Sequence, residues 1–206
     1  MSEEPDSTLG DIATNLALRA AVRNAAVLNL GYFGVEFAVA LAIGSVSLFA
    51  DSVDFLEDAA INLLILAGLG FSPSRRAKLG MLLAAIILVP GLATLWTAWQ
   101  NFSDNRVPDA LSLSITGFGA FVVNLICARM LAPFRTTGGS LTRAAFLSAR
   151  NDVAANVAIV VAGLLTAATA SRWPDLIVGL GIAALNAGAA LEIYNAARDE
   201  HVSAKS

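Results

Sequence analysis

The sequence predicts an all-α polytopic membrane protein with six transmembrane helices, and three observations support this fold class. Hydrophobic residues make up 57% of the 206 residues, and the mean hydropathy of +0.70 is higher than a soluble domain needs. The apolar runs reach the length of about 20 residues that a helix needs to cross a bilayer. They do not alternate in polarity as the strands of a membrane barrel do. Helices, which satisfy their backbone hydrogen bonds internally, are therefore expected.

The apolar runs divide the chain into six predicted spans. In chain order they cover residues 24–43, 48–71, 79–100, 109–132, 144–170 and 174–197. We expect a cytoplasmic N-terminal segment at 1–20, one six-helix membrane domain at 21–197 and a short cytoplasmic tail at 198–206. The N-terminal segment is acidic and lacks the basic start and the cleavage site of a signal peptide, so we expect the first helix to remain in the mature protein.

The distribution of basic residues predicts the orientation of the spans. Ten of the 13 Lys and Arg residues fall on the side of the two termini, and only Arg106 and Arg172 fall on the opposite side. Basic residues are enriched in cytoplasmic loops. Both termini are therefore expected in the cytoplasm, which agrees with an even number of spans.

The third and sixth spans carry features that predict helix geometry. Pro90 lies in the middle of the third span and predicts a static kink, because proline removes a backbone donor. The sixth span contains Gly179, Gly181 and Gly188 among other small residues. Small residues let two membrane helices approach closely, so the sixth helix is expected to pack tightly against a neighbour.

The second span carries a stripe of polar side chains. Residues three, four and seven positions apart share one face of a helix, and this spacing connects Ser47, Asp51, Asp54, Asp58 and Asn62. Glu57 lies beside Asp54 on the flank of this stripe. In the fifth span Ser148, Asp152 and Asn156 form a shorter stripe, and Arg150 points to nearly the opposite side. We expect the two stripes to face each other.

Carboxylates inside a membrane need a counter-charge. An ionised Asp at the bilayer centre costs about 2.5–3.5 kcal/mol on a translocon scale. The only basic residue at comparable depth is Arg150. Cations or protons from outside the chain must therefore balance the carboxylates, which indicates a cation pathway.

Other polar residues in the spans have two interpretations. Asn29 and Glu36 share one face of the first helix, with Tyr32 close by, and interhelical hydrogen bonds explain them as well as an ion pathway does. Asn124 and Asn186 are interpreted as packing contacts. Cys127, the only cysteine, is expected to be a small buried apolar residue, and we assign no role to His201.

Two antiparallel helices with oxygen donors at i and i+4 can enclose one ion. Asp54 and Asp58 would bind it from the second helix, and Asp152 with Ser148 from the fifth. Carboxylate oxygens bind Zn²⁺ at about 2.0–2.2 Å and also suit Mn²⁺ and harder ions. A divalent ion cancels two of the three charges, and protons would replace it on release. Competition between the metal and protons for the same carboxylates is a physical basis for antiport.

The motifs of the chain resemble those of cation diffusion facilitator transporters over nearly its whole length. The segment 29–62, which includes Gly44-Ser-Val-Ser-Leu-Phe-Ala-Asp51-Ser-Val-Asp54-Phe-Leu-Glu-Asp58, is similar to the first two helices of that family. Pro108-Asp-Ala-Leu-Ser-Leu with Val123-Asn-Leu resembles the fourth helix, and Ala145-Phe-Leu-Ser-Ala-Arg-Asn-Asp152 resembles the fifth. Trp173-Pro-Asp175 resembles the beginning of the sixth.

The resemblance implies a function and a set of site residues. Members of the family export divalent transition metals, commonly zinc, in exchange for protons, and they work as homodimers. The family's metal ligands match Asp54, Asp58, Ser148 and Asp152 here. Ser148 replaces a strong ligand by a neutral hydroxyl, so water, Asp51 or Asn156 could complete the site, or the range of ions could be broader.

The sequence therefore predicts an exporter of Zn²⁺, with Cd²⁺, Mn²⁺, Fe²⁺ and Co²⁺ as further candidates, driven by proton antiport and not acting as an enzyme. Asp51, Asn156, Glu57 and Glu36 are expected to support the metal ligands or to line the pathway. We expect no permanently bound cofactor, no nucleic-acid partner and a location in a bacterial inner membrane. The family's usual cytosolic domain does not follow the last span, so dimer contacts are expected from the membrane helices.

Two other functions remain open at this point. A membrane-embedded aspartyl hydrolase would use Asp58 and Asp152 as a dyad that shares a proton. A scaffold or sensor without transport activity would use the acidic residues only to bridge helices, and amide substitutions would then preserve its behaviour.

Overall fold

The computed structural model describes the backbone at residues 4–68, 95–100 and 106–185, and the side chains of these residues except those of 4–13 and 139–141. The described residues form the helices α1 (Glu4–Ile43), α2 (Val46–Gly68), α4 (Ala110–Leu131), α5 (Gly139–Thr169) and the shorter α6 (Trp173–Leu185). We label the helical residues 95–100 as α3. A 3₁₀ turn, Ala132–Phe134, follows α4. The described residues contain no strand, and the all-α prediction is confirmed.

Within the described residues, each helix overlaps one of the predicted spans, and α1 begins well before its span. It runs from Glu4 to Ile43 and is 40 residues long, so it includes most of the predicted N-terminal segment 1–20. Pro90, Asn186, Gly188 and His201 lie outside the described residues.

Several helices have the length and composition of membrane spans. Thr14–Ile43, Ala110–Phe134 and Thr142–Thr169 are long and apolar enough to cross a bilayer, and Trp173–Leu185 is a shorter apolar helix. The 23 residues of α2 also reach about 34 Å at 1.5 Å per residue, which is spanning length. This helix carries four acidic residues, Asp51, Asp54, Glu57 and Asp58, and it is the helix of the predicted site.

Two turns join consecutive helices at the same end of the bundle. Gly44, with φ of 69°, ends α1 in the left-handed conformation that glycine adopts without strain. Ala170, with φ of 48°, ends α5 in the same way. We call this end the outer end, after the predicted orientation, and the opposite end the inner end.

The four helices α1, α2, α5 and α4 surround a common interior. The helix α1 packs against α2 and α4, and α5 packs against α4 and α2. Two apolar clusters fill this interior. The inner cluster contains Leu18, Val22, Ala25, Ile65, Cys127, Ala128, Leu131, Ala145 and Ala149. The outer cluster contains Ala40, Leu48, Phe49, Ala50, Leu113, Ile159 and Ile182.

A polar layer separates the two apolar clusters. Along each helix the sequence passes from one cluster to the other through buried polar residues, namely Asn29 and Glu36 in α1, Asp51 to Asn62 in α2, Asn124 in α4 and Asn156 in α5. The outward faces are apolar, as at Leu30, Val35, Leu111 and Phe118. The polarity is thus inverted relative to a soluble bundle, as expected of helices that contact lipid on the outside.

Close contacts hold α4 against its neighbours. The Tyr32 hydroxyl of α1 donates to the Thr116 carbonyl at 2.6 Å. At Gly117 a Cβ atom would come within 2.7 Å of Ile159 Cγ2, and Ile159 is fully buried in α5. The glycine therefore allows α4 and α5 to approach to a distance that any larger residue would prevent.

The contact at Gly117 predicts a stability difference between two glycine substitutions. Gly117→Ala should lower the free energy of unfolding by about 1–3 kcal/mol, because the β-branched Ile159 has little freedom to move away. Gly34→Ala is the matched control, since a Cβ there meets nothing within 4 Å. It should raise helix stability by up to about 1 kcal/mol. Denaturation of both variants in detergent measures the difference, and equal stabilities would contradict the described α4–α5 contact.

Candidate metal site

The acidic residues of α2 face the interior of the bundle. Asp51, Asp54 and Asp58 are 0%, 9% and 2% exposed. Ser47 and Asn62, at the two ends of the same stripe, are buried as well. Three carboxyl groups therefore lie along one helical face between apolar clusters. The stripe that the sequence predicts is the face that α2 turns towards its neighbours.

The second stripe, on α5, approaches the first. Asp58 lies within hydrogen-bonding reach of the Ser148 hydroxyl and of the Asp152 carboxyl. Asp54 is close enough to Asp152 for their charges to interact, and Glu57 adds a further negative charge from the flank of α2. Ser148 and Asp152 are partly buried. The structure thus brings the four predicted ligands to the same α2–α5 contact.

The carboxylates do not enclose an ion in this conformation. Among the described residues, no three His, Cys, Asp or Glu side chains converge closely enough to hold a metal. A cation would have to draw the α2 and α5 side chains together.

Buried oxygen atoms outnumber the donors that reach them. Within the described part of the chain, six carboxyl or amide oxygens have no hydrogen-bond partner: Oε1 and Oε2 of Glu36, and Oδ1 of Asp51, Asp58, Asn62 and Asn124. A buried polar atom without a partner is costly, and native proteins rarely leave one. All six atoms are acceptors, and in the same layer the Asn29 amide is a buried donor without an acceptor among the described residues. Water, protons on the carboxyl groups or a metal cation would satisfy the six acceptors.

A chain of polar contacts crosses the bundle beside the predicted ligands. Asn156 Nδ2 of α5 donates to Asp51 Oδ2 of α2 at 2.5 Å. Asn124 Nδ2 of α4 donates in turn to Asn156 Oδ1 at 3.0 Å. On the other side, the Glu36 carboxyl of α1 lies near that of Asp51, and a proton on either group would allow a hydrogen bond between them. Hydrogen bonds thus connect α2, α5 and α4, and Glu36 extends the polar layer to α1.

The remaining polar residues of α1 also contact other helices. The Asn29 carbonyl oxygen accepts from the Cys127 thiol of α4 at 3.4 Å, while its amide finds no acceptor among the described residues. Asn29 and Glu36 therefore have different partners on different helices. Arg150 is exposed, and its Nη2 donates to the Asn151 oxygen at 3.3 Å. It points away from the carboxylates, as its position in the sequence predicts.

Two features of the site are not apparent from the sequence alone. The sequence predicts a packing contact for Asn124. In the structure its amide donates to Asn156, which in turn donates to Asp51. Asp175, at the start of α6, is 1% exposed and bonds to the first turn of α2. The only signal in the sequence was an acidic residue near the beginning of a helix, which does not identify its partner.

Comparison with known families gives one match over most of the chain. The family model described as the cation efflux transmembrane domain matches residues 22–199. The match includes α2, α4, α5 and α6, and therefore every residue of the site. A search among curated proteins gives no significant match.

The contacts of Asn156 predict a stability loss on its removal. Asn156→Ala would take the donor from Asp51 and the acceptor from Asn124, so the free energy of unfolding should fall by about 1–3 kcal/mol. Asn151→Ala, on the exposed side of the same helix, should stay within about 0.5 kcal/mol of the unchanged chain. Both are measured by denaturation in detergent with a metal chelator present. Equal stability of the two variants would mean that the Asn124–Asn156–Asp51 hydrogen bonds do not hold the helices together.

Proposed function

The chain belongs to the cation efflux family of metal transporters, and we propose that it exports divalent transition-metal cations from the cytoplasm in exchange for protons. Zn²⁺ is the proposed main substrate. We further propose that it works as a homodimer formed by its membrane helices, in the inner membrane of a bacterium. The family is one of transporters rather than enzymes, and a bound cofactor is not part of the proposal.

The excess of buried acceptor oxygens is the observation that carries this proposal. Six such atoms lack a donor in the polar layer, and the carboxyl groups of Asp51, Asp54 and Asp58 lie in the same layer. A structural network would be expected to match its acceptors with donors. A transport site must instead be able to receive and release a cation, so its acceptors are satisfied only part of the time.

Asp54, Asp58 and Asp152 are the proposed metal ligands, with the Ser148 hydroxyl as a weaker fourth donor. Asp58 already lies beside Ser148 and Asp152, and Asp54 is within electrostatic range of Asp152. Small side-chain movements would close these oxygens around an ion at about 2.0–2.2 Å, the Zn–O distance in proteins. Asp51, Asn156, Glu57 and Glu36 would orient these ligands or pass the ion along the pathway.

Exchange with protons follows from the charge of the ligands. With a divalent ion bound, two of the three negative charges on the ligands are cancelled. After the ion leaves, three neighbouring carboxylates in a layer of low dielectric repel one another, and protonation relieves that repulsion. A proton that binds from outside therefore favours release of the metal, and a metal that binds from inside favours release of protons.

The choice of metal depends on Ser148. A hydroxyl is a poorer ligand for Zn²⁺ than imidazole or carboxylate, and an all-oxygen site does not distinguish strongly between divalent ions. We therefore propose that Cd²⁺, Mn²⁺, Fe²⁺ and Co²⁺ are transported as well, at rates that a panel of metals would rank.

One observation favours a second candidate function. The Asp58 and Asp152 carboxyls lie within hydrogen-bonding reach of each other, as in the dyad of an aspartyl hydrolase, where two carboxyl groups share a proton. Such an enzyme would cleave a peptide or lipid without any flux of metal. A scaffold without activity would tolerate Asp→Asn changes at these positions. The flux assays below separate both from a transporter.

Removal of a ligand carboxylate should abolish metal transport. Asp54→Ala, Asp58→Ala and Asp152→Ala each leave too few charged oxygens to hold a divalent ion, so Zn²⁺ flux in proteoliposomes should fall to background. Ser148→Ala should have a milder effect, because it removes a neutral donor. Asn151→Ala, next to Asp152 but on the exposed side, is the control and should transport normally. Normal flux in any two of the three Asp variants would refute this ligand set.

Metal flux should be coupled to an opposite flux of protons. Proteoliposomes that contain a pH-sensitive dye should become more alkaline inside as Zn²⁺ enters, since protons leave in exchange. An imposed gradient, acidic inside, should accelerate Zn²⁺ uptake. Flux of Zn²⁺ at the normal rate with no change in the dye signal would mean that the protein carries metal without antiport.

A further inference from the structure

Asp175 caps a helix other than its own. Its Oδ1 atom accepts from the hydroxyls of Ser45 and Ser47 at 2.6 and 2.5 Å, and from the Ser47 backbone N–H at 3.2 Å. Its Oδ2 atom accepts from the backbone N–H of Val46 at 2.8 Å. Asp175 belongs to α6, whereas these donors lie at the beginning of α2. Both carboxylate oxygens are therefore bonded across the α2–α6 contact.

The first turn of α2 is suited to hold a carboxylate. The first N–H groups of a helix have no partner within it, and the helix dipole is positive at this end. Ser45 satisfies one of these groups, because its hydroxyl oxygen accepts from the Leu48 N–H at 3.2 Å. Asp175 satisfies those of Val46 and Ser47. Both partial charge and hydrogen bonding thus favour the contact.

The backbone of α6 touches α2 one turn beyond Asp175. At Gly179 a Cβ atom would lie 2.6 Å from the Ser47 nitrogen, so no larger residue fits without movement of one helix. Leu176 packs there against Val46 and Ala98, and these three residues form a separate apolar cluster. The carboxylate, the glycine and this cluster fix α6 on the outer end of α2.

This contact lies at the outer end of the polar stripe. Ser47 is the first member of the stripe, and Asp51, one turn further in, is fully buried. Asp58 and Asn62, nearer the inner end, are buried too, whereas Ser148 and Asp152 of α5 are partly buried. The helix α6 covers the outer end of the stripe.

We propose that Asp175 is a positioning residue of the transport cycle: it holds α6 on the first turn of α2 and so closes the outer end of the stripe. An ion at Asp54 and Asp58 leaves outwards only after the bonds of Asp175 to Ser45 and Ser47 have broken. This proposal rests on the proposed transport function, but the closure itself does not require it. We call these bonds the Asp175 latch.

A buried reporter measures whether the latch closes the outer end. Val46→Cys places a thiol that is covered by Leu176 and Ala98, and a hydrophilic maleimide should label it slowly in nanodiscs. Adding Asp175→Ala should raise the labelling rate by about tenfold or more, because bonds to a charged group contribute more than neutral ones. The unchanged protein, whose only cysteine is Cys127, gives the background rate of labelling.

Two matched variants separate local opening from general loosening. Asp109 is an exposed N-cap of its own helix and accepts from the Ser112 N–H at 2.8 Å. Asp109→Ala should not change the labelling of Val46→Cys. Leu131→Cys reports on the inner cluster, and its labelling should be the same with or without Asp175→Ala. Should Asp175→Ala fail to fold, Ser45→Ala with Ser47→Ala is the substitute, because it removes two hydroxyl donors and keeps the carboxylate. We expect it to raise the labelling rate of Val46→Cys by less than Asp175→Ala would.

A reversible lock tests the role of the latch in transport. Ser45→Cys with Asp175→Cys would join α2 and α6 by a disulfide. Oxidised protein in proteoliposomes should still bind Zn²⁺ but should not transport it, and reduction should restore flux. A merely structural role would leave flux unchanged on oxidation.

The outcomes distinguish the latch from the transport proposal. Two results would overturn the latch proposal. One is equal labelling of Val46→Cys with and without Asp175→Ala, and the other is equal Zn²⁺ flux through the oxidised and the reduced form of the Ser45→Cys, Asp175→Cys variant. If labelling responds as expected but no variant, nor the unchanged chain, carries metal, the transport proposal fails and the closure of the outer end stands.

Discussion

An imbalance of polar atoms in the middle of an apolar bundle is the main constraint on this protein. Between the inner and outer clusters lies a layer in which carboxyl and amide oxygens exceed the donors that reach them. Burial makes such atoms costly. Positive charge stabilises such a layer, either as protons on the carboxyls or as a metal ion between them. The proposed antiport is the exchange of these protons for the metal ion.

Specific contacts hold the helices around this layer. Backbone contacts at Gly117 and Tyr32 fix α4 against α5 and α1, and the Asn124–Asn156–Asp51 chain crosses from α4 to α2. Within the described residues, α6 contacts α2 through Asp175, Gly179, a small apolar cluster and Ile182 of the outer cluster. A movement of α6 away from α2 would open the stripe at its outer end.

Helical periodicity was sufficient to predict much of this architecture. It identified the face of α2 that carries Asp51, Asp54 and Asp58, the matching face of α5, and the outward direction of Arg150. It could not identify partners across helices, because spacing within one helix says nothing about its distance from another. The pairing of Asn124 with Asn156 and the cap that Asp175 provides to α2 depend on tertiary packing. The early start of α1 was not predicted, because hydropathy marks membrane spans rather than helices. Whether the four side chains at the α2–α5 contact bind metal is a chemical question that periodicity leaves open.

The central claim is that metal and protons occupy the same buried oxygens in turn. Calorimetric titration of the purified protein with Zn²⁺, repeated in buffers of different ionisation enthalpy, measures the protons released as the ion binds. Zn²⁺ should bind with net release of protons, because an ion can bind only where protons leave the carboxyls. Tight binding with no dependence on the buffer, or no binding by folded protein, would contradict it.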